Sequence, residues 1–74
     1  MSAATTNQIE IVVNGRVRLA PAGRTLGELL VWLAVDPARV AVELNRSIVQ
    51  RQAWDQTPVG SGATLEIVQF VGGG

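Results

Sequence analysis

Four stretches of the chain alternate apolar and polar residues with period two, and one carries an apolar stripe with helical period. Ile9-Glu10-Ile11-Val12-Val13 has the β-branched composition of a strand, and Ile9, Ile11 and Val13 share one face. Asn14-Gly15 follows, the strongest short signal for a tight hairpin, because both residues tolerate positive φ. Arg16-Val17-Arg18-Leu19 alternates again. The expectation is an antiparallel hairpin with Val17 and Leu19 inward and both arginines outward. Pro21, Ala22 and Gly23 close it.

Thr25-Leu26-Gly27-Glu28 then fits a capping box, in which the Thr hydroxyl takes one free N–H and Glu28 reaches back to another. Leu26, Leu29, Leu30 and Leu33 follow at i, i+3, i+4 and i+7, a single stripe that must lie on a sheet. Glu28, Val31 and Val35 are expected to point away. Asp36-Pro37 is expected to end the helix, since the residue before a proline is pushed out of helical geometry.

Val40-Ala41-Val42-Glu43-Leu44 predicts a third strand with Val40, Val42 and Leu44 on one face. Asn45-Arg46 reads as a turn, Ile48-Val49 as a short edge strand, and Arg51 to Val59 as irregular, with Trp54 plugging the sheet edge. Gly60-Ser61-Gly62 is a turn before the last strand, Thr64 to Val71. There Leu65 and Ile67 should face the helix. Glu66, Val68 and Phe70 should face the other way. The order is hairpin, helix, and returning strands. It gives an α+β architecture, a mixed sheet of four to five strands with one main helix across one face, the β-grasp arrangement. The expected organisation is a disordered leader over 1–8, one domain over 9–71, and a flexible tail over 72–74.

Composition removes most chemistry from the body of this domain. The chain has 74 residues, 47% of them hydrophobic, enough for one small core. It has no Cys, His, Lys or Tyr. A thiol nucleophile, an imidazole base, a Schiff base and a Cys/His metal site are therefore excluded. Ser2, Ser47 and Ser61 lack a histidine or lysine to activate them, and the carboxylates are scattered. The expectation is a protein that is not itself an enzyme, with no bound cofactor or metal. Six arginines balance six acidic residues without forming a stripe, so nucleic acid is a poor partner. No apolar run approaches the roughly 20 residues of a membrane helix, and residues 1–8 lack the composition of a signal peptide. A cytoplasmic location and a monomeric free state are the expectations.

Three consecutive glycines, Gly72-Gly73-Gly74, follow the last strand in the sequence. Glycine reaches any backbone conformation, so such a tail could thread a channel that admits only bare backbone. A carboxylate on Gly74 would be ionised at neutral pH and a poor electrophile, so its use would need activation by another enzyme. Val68 and Phe70, on the face away from the helix, are candidate partner contacts beside the tail. The alternative for Phe70 is that it folds over the sheet edge and closes the core.

Three stretches resemble the ThiS-type sulfur carriers of thiazole (thiamin) biosynthesis, within the ubiquitin-like β-grasp superfamily. They are Gly23-Arg24-Thr25-Leu26-Gly27-Glu28-Leu29-Leu30, Val40 to Val49 with Arg51 and Trp54 beyond, and Val68-Gln69-Phe70-Val71-Gly72-Gly73-Gly74. The resemblance implies that a ThiF-like adenylating partner consumes ATP to activate the Gly74 carboxylate. Sulfur from a cysteine desulfurase relay then gives a thiocarboxylate, and a ThiG-like thiazole synthase takes the sulfur. It also implies roles for Gly73 and Gly74, with Gly72 and Val71 leading into the partner channel. The chain departs from the family pattern at Gly62-Ala63, where Gly-Asp is usual, and at Gln50, where Pro is usual. Neither position touches the tail. Competing readings are the small subunit of molybdopterin synthase, a ThiS-like carrier of another pathway, a protein conjugated to others in ubiquitin fashion, and a non-covalent interaction module.

Overall fold

The computed structural model describes residues 7–70. The strand β1 (Gln8–Val13) turns through Asn14-Gly15 into β2 (Arg16–Pro21). The helix α1 (Leu26–Trp32) crosses to a single 3-10 turn (Pro37–Arg39), followed by β3 (Val40–Leu44) and β4 (Ser47–Ile48). A second 3-10 helix (Arg51–Gln56) precedes β5 (Thr64–Gln69). The five strands form one sheet in the order β2-β1-β5-β3-β4, with β1 and β5 parallel and the other neighbours antiparallel. This is the mixed sheet with one main helix expected from the pattern. β1 begins at Gln8, and the carbonyl of Asn7 accepts from the Ala22 N–H, so the hairpin ladder reaches residues read as leader.

One apolar layer lies between helix and sheet. Ile11, Leu26, Leu29, Leu30, Val42 and Leu65 are fully buried, with Ile9, Val13, Leu44 and Ile67 packed around them. These are the inward positions that the alternation of β1, β3 and β5 predicts. The capping box forms as read: the Thr25 hydroxyl accepts from Glu28 N–H, and the Glu28 carboxylate accepts from Thr25 N–H. Gly27 admits the Asp55 carboxylate at the point where a side chain would stand, so the second 3-10 helix presses closely on α1.

The phase of β2 is opposite to the expectation. Val17 and Leu19 are 62% and 58% exposed, and the strand buries Ala20 instead. The two-residue turn fixes the register, pairing Val13 with Arg16, Ile11 with Arg18 and Ile9 with Ala20. Residues directly opposite share a face, so Arg16 and Arg18 join the helix side and Val17 and Leu19 the open side. The Arg18 guanidinium reaches over the Trp32 ring, 5.4 Å from its centroid.

The end of the helix also differs from the expectation. Leu33 is the C-cap, and Ala34 turns the chain with φ of 62°. Ala34 N–H donates to Val31 and Val35 N–H donates to Leu30, the two bonds of a Schellman motif. The reversal therefore precedes Asp36-Pro37, and Val35 folds back against the core rather than pointing outward. Arg51–Gln56 is helical, not irregular. It seats Trp54 at 5% exposure, with the indole Nε1–H donating to the Val49 carbonyl at 2.9 Å. The plugging role expected of Trp54 is thus what the fold displays.

Candidate functional site

β5 runs through the centre of the sheet and leads toward residue 74. On one side it is bound to β3 along the registers Val40–Gln69, Ala41–Val68, Val42–Ile67, Glu43–Glu66 and Leu44–Leu65. Phe70 N–H continues that ladder, donating to the Arg39 carbonyl at 2.8 Å. On the other side β1 accompanies it only at Thr64 and Leu65. Beyond that point the side chain of Asn14 takes over. Its Oδ1 accepts from Ile67 N–H at 2.7 Å, and its Nδ2 donates to the Ile67 carbonyl at 3.1 Å. At the opposite end of the strand, Asn45 Oδ1 accepts from Thr64 N–H at 2.9 Å. Both asparagines sit at φ of 51° in their hairpin turns, a conformation Asn adopts more readily than most residues.

Alternation along this clamped strand decides which residues meet solvent. Leu65 is buried and Ile67 half-buried against the helix side, whereas Val68 and Phe70 are 59% and 58% exposed. Phe70 stands on the open face, so the alternative in which it closes the core does not occur. Val68 lies opposite Ala41. Glu66 lies opposite Glu43, which in turn faces Ile48, exposed at 68%. The open face around β5 therefore combines Val68, Phe70, Ala41 and Ile48 with two adjacent glutamates. An apolar cluster with a charged border is the composition of a docking surface.

Sequence reasoning placed Glu66, Val68 and Phe70 on this face but did not bring Ile48, Ala41 and Glu43 to them. The β3–β5 and β3–β4 registers bring these together, and no local pattern encodes them. Val17 and Leu19 add further apolar surface to the open face at its far edge, and counting register outward from Asn14-Gly15 would have found them. The remaining predicted site residues, Val71, Gly72, Gly73 and Gly74, lie outside the described residues.

The helix side holds a notch of about 420 Å³ where α1 stops short of the strand ends. It is lined by the apolar Val13, Leu33, Val35, Val40 and Ile67 together with the polar Asn14, Arg18, Asp36 and Gln69. Among the described residues, no three His, Cys, Asp or Glu side chains gather as a metal site would require. No described helix is long and apolar enough to cross a membrane.

Comparison with known proteins places this geometry among relatives. The profile of the ThiS family matches residues 6–74. The sulfur carrier protein ThiS of Escherichia coli K12 is 33% identical over 66 residues, covering 89% of this chain and 100% of that protein. A thiazole synthase of Paramagnetospirillum magneticum is 44% identical over 66 residues, again 89% of this chain but 20% of that protein. The chain thus spans about a fifth of that relative, as it does of a thiazole synthase from Magnetococcus marinus at 38% identity and 20% coverage. In three dimensions, the crystal structure of the thiamine biosynthesis protein (ThiS) from Geobacter metallireducens superposes with a TM-score of 0.76 at 36% identity, covering 89% of this chain and 100% of that one.

Proposed function

The chain belongs to the ThiS family of sulfur carriers in thiamin biosynthesis, and on that premise we propose that it carries sulfur on the carboxylate of Gly74. The observation that supports this most is the family match itself, which runs through residue 74 and takes in the whole of E. coli ThiS. In this reading a ThiF-like adenylating enzyme joins the Gly74 carboxylate to AMP from ATP, releasing pyrophosphate. A persulfide on a cysteine desulfurase relay attacks the acyl-adenylate and displaces AMP, giving an acyl disulfide, and an external thiol reduces that disulfide to release the thiocarboxylate. The acceptor is a thiazole synthase, a reading supported by the two thiazole synthases that contain a segment similar to this chain.

The domain's part is presentation rather than catalysis. The absence of Cys, His and Lys leaves its body without a nucleophile of ordinary strength. The adenylating partner docks on the open face at Val68, Phe70 and Ile48, and Val71-Gly72-Gly73 thread into its channel. Glycine suits such threading because no side chain obstructs the path.

The test is an intact-mass measurement after incubation with the adenylating enzyme, ATP and a sulfur source. The expected result is a mass increase equal to one oxygen-to-sulfur exchange. Deletion of Gly74 should abolish the increase while leaving the thermal midpoint unchanged. A shortened chain that still accepts sulfur would rule out Gly74 as the carrier. A full-length chain that accepts none would favour a non-covalent interaction module instead.

A further inference from the structure

We infer that Asn14 is a positioning residue for sulfur loading, because its carboxamide holds the strand that presents the docking face and leads to the tail. The inference rests on the carrier reading above. β1 ends at Val13, and its ladder with β5 ends at Leu65. The strand continues to Gln69 with β3 on one side. In that antiparallel ladder the amides of Ile67 point away from β3, since Phe70 N–H and the Val12–Ala63 and Asn14–Leu65 bonds fix the alternation on the two sides. Without a partner, Ile67 N–H and C=O would face the open notch beside Gln69.

Asn14 supplies that partner. Its Oδ1 and Nδ2 occupy the places that the carbonyl and N–H of another β1 residue would occupy, at 2.7 and 3.1 Å from Ile67 N and O. The two residues are 53 positions apart, so the contact is tertiary and not part of the turn's own geometry. The same residue supplies the positive φ that aims the hairpin. The strand is therefore held on both sides at this point: the residues flanking Ile67 belong to the β3 ladder, and Ile67 itself is bonded by Asn14 across the gap.

What this controls is the direction of Val68 and Phe70. Val68 and Phe70 stay tied to β3, Phe70 through its N–H on the Arg39 carbonyl, so an unheld Ile67 leaves the strand free only to rock about its β3 edge. A rotation of roughly 10° moves a side-chain tip about 6 Å out by about 1 Å, and misplacements of that order weaken a preorganised contact substantially. The effect of Asn14 should therefore fall on docking of the carrier, not on the chemical step at Gly74.

Two variants separate this from a merely structural role. Asn14→Gly keeps a residue that accepts positive φ and removes the carboxamide. Asn14→Asp keeps the turn and an acceptor for Ile67 N–H but loses the donor, and decides the matter should the glycine variant be too weakly folded. In native-state hydrogen exchange, the Ile67 amide of Asn14→Gly is expected to exchange at least about tenfold faster, with the Val12 amide unchanged. With the adenylating enzyme and ATP, at a temperature where all forms are folded, KM for the carrier is expected to rise about tenfold at unchanged kcat. Asn14→Asp should fall between wild type and Asn14→Gly in both readouts. Wild type that loads sulfur while the variants keep the wild-type KM overturns the positioning role alone. An equal fall in kcat and kcat/KM overturns it too, by moving the effect to the chemical step. Wild type that takes no sulfur overturns the carrier reading, and the positioning role falls with it.

Discussion

Ala34 holds a left-handed conformation, φ 62°, where glycine is the usual choice at the end of a helix. A Cβ in that region costs roughly 1–2 kcal/mol, and the added freedom of an unfolded glycine takes back roughly 0.5–1. Ala34→Gly is therefore expected to stabilise the domain by up to about 1 kcal/mol, seen as a higher midpoint in urea at unchanged slope. Trp54 makes the opposite case. Trp54→Phe removes the Nε1 bond to the Val49 carbonyl and trims a buried ring. A loss of about 1–3 kcal/mol is expected in the same titration. Trp54 was legible as a buried plug from its size and its place in an otherwise polar segment. Val35 was not: helical periodicity placed it outward, and only the reversal at Ala34 returns it to the core. Positive φ at an alanine has no signature in the residue itself.

At the scale of elements, the capping box shows local chemistry and observed geometry in agreement. Thr25→Ala removes the hydroxyl that accepts from Glu28 N–H, 3.2 Å away, while the Glu28 bond to the backbone of residue 25 can persist. The expected loss is about 1 kcal/mol, a fall of roughly 4–8 °C in the thermal midpoint of a domain this size. The helix has only seven residues, so its stability comes chiefly from the leucines it buries and from its cap. β2 shows where element-level reading fails. Alternation gives the period of a strand but not its phase, and the arginine-valine alternation suggested the wrong one. The phase lay in the turn: a two-residue Asn-Gly loop between Val13 and Arg16 sets which β2 residues oppose Ile9 and Ile11. The missed members of the candidate site, Ile48, Ala41 and Glu43, share a different origin. They meet through registers between strands distant in sequence, which no window along the chain contains.

For the molecule as a whole, the two faces of the sheet differ in what covers them. The helix face is closed by Leu26, Leu29 and Leu30 and supplies stability. The open face exposes Val68, Phe70 and Ile48, which contribute little burial to the fold. Phe70→Ala should accordingly leave the thermal midpoint nearly unchanged and, on the proposed carrier reading, should weaken association with the adenylating partner at least about tenfold, as truncating an interface anchor does. Isothermal titration of the two proteins measures the second effect, and a thermal melt the first. An unchanged affinity would remove Phe70 from the docking surface.

β5 is also the joint of the sheet. The hairpin β2-β1 touches one side of it and the pair β3-β4 the other, and these halves have no ladder of their own. A ribosome delivers residues 64–70 after every other strand has emerged. Until then the nascent chain has two small strand pairs and a short helix, none of which is stable by itself. Chains cut short by premature termination before Thr64 would therefore stay unfolded and open to proteolysis. Folding therefore waits on synthesis of β5, the strand that joins the two halves of the sheet.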